Sequence, residues 1–157
     1  MSRSGAEKRI MRELADIQKA PIAGISAGPI SDNELLKWQA VIVGPEGSPY
    51  AGGIFKLKID LPLTPTSYPF APPTFIFETK IYHPNVSDDG KMCLAPLRSD
   101  NWKPASKLVD LLRVVQNVLL EPILEDAINT AAAEQYKSDR AGFDKVARDW
   151  TAKHANK

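Results

Sequence analysis

The chain has 157 residues, with 20 Lys+Arg against 19 Asp+Glu, 13 prolines and one cysteine, and that length predicts a single domain, residues 1–157, burying roughly 68–70% of its unfolded surface on one core. A net charge of +1, with 43% hydrophobic and 25% charged residues, is the balance of an ordinary globular protein and leaves no electrostatic footprint for nucleic acid or an anionic membrane. One cysteine excludes an internal disulfide, two histidines (His83 and His154) exclude the usual zinc ligand sets, and the charged start MSRSGAEKR, with no apolar run near about 18 residues, argues for a cytosolic or nuclear protein.

Ser4-Gly5-Ala6-Glu7 reads as a capping box, and Ile10, Leu14 and Ile17 recur at helical spacing, predicting an amphipathic helix to about Ala20. Its polar face carries Lys8, Arg9 and Arg12, either as a solvated face or as a dock for an acidic partner. Three runs rich in β-branched and aromatic residues follow, near Ile22–Ser26, Leu36–Val43 and Gly53–Leu61. Turn-rich pieces separate them, Ala27-Gly28-Pro29 and Gly44-Pro45-Glu46-Gly47-Ser48-Pro49 among them. Pro62, Pro65, Pro69, Pro72 and Pro73 then rule out helix or central strand. This segment reads as a rigid extended connection with Leu63, Tyr68 and Phe70 as apolar anchors. Thr74–Glu78 makes a fourth strand, and with no helical pattern between the strands the sheet is expected to be an antiparallel meander.

After Pro104 the period becomes helical. Ser106 is the candidate N-cap for a helix carrying Leu108, Leu111, Leu112, Val115, Val118 and Leu119 and ended by Pro122. A second helical stretch runs from about Asp126 to Lys137, and Ser138 and Asp139 open a last helix with Phe143, Val146 and Trp150. The order of helix, four strands, irregular stretch and three helices is that of an α+β domain.

The irregular stretch holds Tyr82-His83-Pro84-Asn85, Gly90-Lys91-Met92-Cys93-Leu94 and Asn101-Trp102-Lys103-Pro104. A lone cysteine is commonly a buried small hydrophobe, but Asp88-Asp89-Gly90 before Cys93 is a turn, and Pro96 after it prevents burial in a regular element. A protease-like mechanism needs a histidine base. His154 falls in a charged tail and His83 in a tight turn before Pro84, so bases are scarce, as a generic thiol hydrolase would not tolerate. With no cation beside it the thiol suits thioester exchange, where positioning counts for more than activation. The Asn85 carboxamide is placed to donate to the oxyanion of a tetrahedral intermediate, to hold its own turn, or to do both.

His83-Pro84-Asn85, seven residues, Cys93-Leu94 and then Trp102-x-Pro104 resemble the active-site signature of ubiquitin-conjugating (E2) enzymes. The resemblance extends through Lys8-Arg9 with Glu13-Leu14, Trp38-Gln39-Ala40, Gly44-Pro45, Ser48-Pro49-Tyr50 with Gly52-Gly53, Tyr68-Pro69-Phe70-x-Pro72-Pro73 and Thr79-Lys80-Ile81-Tyr82. It implies the E2 fold, with one helix before a four-stranded antiparallel sheet and three after. It further implies that Cys93 accepts ubiquitin from an E1 enzyme as a thioester and passes it to a lysine amine or an E3 cysteine. Asn85 would stabilise the oxyanion or the loop. Asp126 would orient and help deprotonate the incoming lysine, or else cap the following helix. Phe70 with Lys103, Pro104 and Ala105 would form the loops that E3 enzymes grip, Lys8, Arg9 and Arg12 the helix facing E1 and E3, and His83, Pro84 and Trp102 the support of the active-site loop. No cofactor is implied, since ATP is used by the partner E1.

Some positions depart from the commonest pattern. The Leu61–Tyr68 segment is about three residues longer than the usual link, Ala95 stands where an aspartate often follows Cys-Leu, and Cys93 and Trp102 are one residue further apart. That last spacing is similar to E2s serving HECT or RING-between-RING ligases, which carry their own cysteine, more than to those serving RING ligases. Arg113 and Asn117 are polar where lysine-reactive E2s pack the bound ubiquitin, whereas Asp126 favours lysine. The expectation is a relay enzyme with residual lysine activity. Leu97 to Pro104, Leu120-Glu121-Pro122 and Glu125-Asp126 also resemble E2s for the ubiquitin-like modifier NEDD8, but those carry an N-terminal extension that this sequence does not show. A catalytically inactive E2 variant is the competing binding-module reading, opposed by Cys93 itself. Ser26 lies on the sheet face that binds a second ubiquitin in some E2s.

Overall fold

The computed structural model describes residues 5–63 and 66–156. Ser4, the cap of the expected capping box, lies outside the described residues, as do Thr64 and Pro65. Helix α1 spans Gly5–Lys19 and turns Ile10 and Glu13 inward, with Leu14 and Ile17 packed against the core. Strands β1 (Ile25–Pro29), β2 (Lys37–Val43), β3 (Ile54–Asp60) and β4 (Thr74–Phe77) form one antiparallel sheet in chain order.

The first strand is displaced from its expected place near Ile22–Ser26. Gly24, at φ +78°, turns the chain first, and Ala27-Gly28-Pro29, read as a turn, completes the strand instead. An edge strand tolerates Pro29 because the missing N–H need not face a neighbour. Strict alternation then sorts the sheet. Trp38, Ala40 and Ile42 on β2, Phe55, Leu57 and Ile59 on β3, and Phe75 and Phe77 on β4 are buried, while Lys37, Gln39, Lys56 and Lys58 face solvent.

The covered face packs on helix α2 (Leu108–Leu120), which buries Leu108, Leu111, Leu112, Val115, Val118 and Leu119. Ser106 does not cap it. The cap position is Lys107, which offers no side-chain bond; the Leu108 N–H goes instead to the Glu13 carboxylate, 2.6 Å away on α1. A second correction concerns the next helix, expected from Asp126. Leu124–Asp126 is a 3-10 turn, and α3 runs Thr130–Ser138 with Asn129 as its cap, accepting from the Ala132 N–H at 3.1 Å. Asp126 is therefore no helix cap. Helix α4 (Arg140–His154) starts after its cap Asp139 and buries Phe143 and Ala147. His154, expected in a charged tail, closes this helix with its ring against Trp150.

Of the three expected anchors in the proline-rich connection only Tyr68 is buried; Leu63 and Phe70 are 58% and 68% exposed. Tyr68 reaches into the core because its hydroxyl donates to Glu13. The Tyr68–Pro69 peptide is cis.

Candidate active site

The irregular stretch between β4 and α2 is held in place from several directions. Gly90, at φ +86°, turns the chain so closely against β4 that a Cβ there would lie 2.1 Å from the Phe77 carbonyl oxygen, and the Phe77 N–H donates to the Gly90 carbonyl at 2.9 Å. Only glycine fits that position. Three residues on, Cys93 is exposed while its neighbour Leu94 is fully buried. Leu94 thus fixes the depth of the loop and presents the thiol to solvent. The chain after it forms a 3-10 turn, Ala95–Leu97.

His83, earlier in the same irregular stretch, is fully buried and tilted against the Tyr50 ring. Its Nδ1 accepts the Asn85 N–H at 2.9 Å, so the proton sits on Nε2 and is donated to the Val118 carbonyl at 2.7 Å. Burial lowers its pKa from 6.5 to about 4, although the bond to Val118 pulls the other way. His83 is a neutral strut, with both ring nitrogens engaged.

Asn85 is also buried, and both ends of its carboxamide are engaged. Oδ1 accepts from the Ile123 N–H at 2.9 Å and Nδ2 donates to the Ile123 carbonyl at 2.7 Å. Pro84, next to it, accepts from the N–H groups of Ile128 and Asn129 at 2.9 and 3.0 Å. The His-Pro-Asn segment therefore holds the connection between α2 and α3 at both ends. An amide carries two N–H bonds, so the Ile123 contact leaves Nδ2 one donor more.

Asp126 is on that stapled connection. Its Oδ2 accepts from the Ala95 N–H at 3.1 Å, and its Oδ1 accepts from Arg98 Nη1 at 3.2 Å. The same Arg98 nitrogen donates to the Cys93 carbonyl at 3.3 Å, and Arg98 Nε lies 3.8 Å from Asp100. Sequence reasoning missed Arg98, and its expectation of no cation beside Cys93 is corrected here. The signal available was only the alternation of charge in Arg98-Ser99-Asp100, which says nothing about a partner 28 residues away.

The expected partner-facing residues separate into two groups. Lys8, Arg12, Phe70, Lys103, Pro104 and Ala105 are exposed. Arg9 turns inward: its Nε pairs with Glu13 at 3.1 Å and its Nη2 donates to the Ser106 carbonyl at 2.8 Å. Trp102 joins the two loops, donating from Nε1 to the Pro69 carbonyl at 2.8 Å. Arg113 and Asn117 are exposed on α2. A surface pocket of about 770 Å³ lies between the turn at Ser48–Gly53 and the end of α4, and Cys93 is not among its walls. An exposed thiol outside such a pocket fits a macromolecular acyl group better than a small enclosed substrate. Among the described residues no three metal-ligating side chains come together and no helix is long and apolar enough to cross a membrane.

A family model described as ubiquitin-conjugating enzyme matches residues 9–151. A protein of Dictyostelium discoideum named ubiquitin conjugating enzyme E2 B is 42% identical over 151 residues, covering 96% of this chain and 98% of that protein.

Proposed function

The chain belongs to the ubiquitin-conjugating enzyme (E2) family, transferases that act through a thioester, and on that premise we propose that Cys93 is the acceptor and that its cargo is ubiquitin. One observation carries this reading: the chain's single thiol is held exposed beside a fully buried Leu94, on a loop tied to Asp126, whose own connection is stapled by Asn85. In the forward step the Cys93 thiolate attacks the carbonyl of the E1-bound thioester, and the E1 sulfur leaves with the electron pair. The second Nδ2 donor of Asn85 supplies the oxyanion bond, while its bonds to Ile123 hold the connection that carries Asp126.

The discharge step passes ubiquitin to the cysteine of a HECT or RING-between-RING ligase in preference to a lysine presented with a RING ligase. Ala95, exposed Arg113 and exposed Asn117 support this preference. Asp126 supports residual lysine transfer. The ligases and E1 dock on Lys8, Arg12, Phe70 and Lys103–Ala105, no cofactor is bound here, and the protein works in the cytosol or nucleus. NEDD8 is the second reading of the cargo, supported by the composition of Leu97 to Pro104.

The test is charging by purified E1 with ubiquitin, NEDD8 or SUMO, read on a non-reducing gel. A reductant-sensitive ubiquitin adduct on wild type, replaced by a stable oxyester on Cys93→Ser, is the expected result. Preferential charging with NEDD8 replaces the cargo, and no charging by any modifier makes the protein an inert binding module. Discharge onto free lysine as fast as onto free cysteine rejects the relay preference.

A further inference from the structure

We infer that Arg98 is a positioning residue for amine acceptors, acting through Asp126. Arg98 Nη1 binds the Asp126 carboxylate at 3.2 Å and the Cys93 carbonyl at 3.3 Å, while the second Asp126 oxygen binds the Ala95 N–H at 3.1 Å. The residues on either side of buried Leu94 are thus clasped to one carboxylate, and a single guanidinium closes the clasp. Asp126 is 12% exposed in its side chain and Arg98 40%. The carboxylate is therefore largely sheltered, while the guanidinium that holds it stays partly open to solvent.

The two discharge reactions use this carboxylate unequally. When an amine attacks the thioester carbon, a C–N bond forms and the C–S bond breaks, with its electron pair leaving on Cys93 Sγ. The nitrogen must also shed a proton, which passes by way of the carboxylate to the departing thiolate. When a thiolate attacks, one C–S bond replaces another and no proton moves. A carboxylate left to rotate out of line consequently penalises the amine and spares the thiol, because misplacement of a catalytic group by about 1 Å costs up to 10²-fold. Removing Arg98 leaves Asp126 with only the Ala95 N–H to hold it. Loosening of the loop as a whole would slow both reactions alike, so the ratio of the two rates isolates the effect on Asp126.

This inference rests on Cys93 being the thioester residue, and charging tests that reading separately from the chase. Wild type, Arg98→Ala, Arg98→Lys, Asp126→Asn and the Arg98→Ala/Asp126→Asn double variant are charged with ubiquitin. E1 is then quenched, and the thioesters are chased with free lysine and with free cysteine. Arg98→Ala is expected to lower the lysine-to-cysteine rate ratio about fivefold, with Arg98→Lys, which keeps the charge but not the fork, lying between it and wild type. In the Asp126→Asn background Arg98→Ala should lower the ratio no further, since the two residues act as one unit. A ratio unchanged or raised by Arg98→Ala overturns the inference, as does an undiminished fall in the Asp126→Asn background. Absence of wild-type charging overturns it together with the reading beneath it, whereas normal charging with an unaltered ratio overturns it alone.

Discussion

The carboxylate of Glu13, in the middle of α1, accepts the backbone N–H of Leu108 and so caps the first turn of α2 from a position 95 residues away in the chain. The same carboxylate takes the Tyr68 hydroxyl and Arg9 Nε, and Arg9 continues to the Ser106 carbonyl. Burial, followed by the bond to Glu13, raises the Tyr68 pKa, so the phenol stays a donor. One acid at 3% exposure therefore joins three segments that carry the exposed Lys8 and Arg12, Phe70, and Lys103–Ala105. Glu13→Ala removes a buried charge with several partners and is expected to cost about 3–5 kcal/mol in urea unfolding. Glu13→Gln, which keeps the shape and one acceptor, should cost about 1–3 kcal/mol. A loss below about 1 kcal/mol for Glu13→Ala would show that the cap is dispensable.

His83 makes stability depend on pH. The unfolded chain takes up its proton near 6.5, whereas the folded protein resists until about 4. The contribution is full above pH 6.5 and is lost as the pH falls from 6.5 towards 4, by about 3 kcal/mol in all. Urea midpoints at pH 7 and pH 5 check this, with the lower midpoint expected at pH 5.

Asn85→Ala leaves the Ile123 N–H and carbonyl without their partner. A loss of about 1–3 kcal/mol follows, along with faster amide exchange around Ile123. Discharge of a formed thioester should slow as well, because the same change removes the proposed oxyanion donor and loosens the connection carrying Asp126. Amide exchange at Ile123 equal to wild type would refute the staple.

Phe70 is 68% exposed on a loop whose shape comes from Tyr68 and from the Trp102 bond to Pro69. Phe70→Ala should leave stability within about 0.5 kcal/mol of wild type. Ligase-stimulated discharge should nevertheless fall, with a binding cost above about 1 kcal/mol. Unchanged ligase stimulation would remove Phe70 from the docking surface.

Much of this architecture was legible in the residues. Period-two alternation in Trp38–Ile42 and Phe55–Ile59, and the helical period of Leu108–Leu119, depend only on which side of an element faces the core. The first strand was misplaced because Gly28-Pro29 carries turn chemistry that an edge strand accommodates. The caps of α2 and α3 were misread for a different reason: Ser106 and Asp126 are plausible local caps, but Glu13 across the domain and Asn129 three residues later make the bonds instead. Leu63 and Phe70 were expected to be anchors because hydrophobicity alone does not reveal whether a loop turns a side chain in or out.

By itself the sequence determined the order of elements, the family, and the presence of one thiol in a loop poor in bases. These follow from periodicity, from proline and glycine, and from residue types at fixed spacing. Tertiary structure alone decided that Asp126 is clasped to Arg98 and Ala95, that Arg9 reaches the Ser106 carbonyl, and that Asn85 spends both ends of its carboxamide on Ile123. Each of these is a contact between segments distant in the chain. Such contacts form only after the core has fixed the backbones that carry them, and no local pattern of residues records which donor will meet which acceptor.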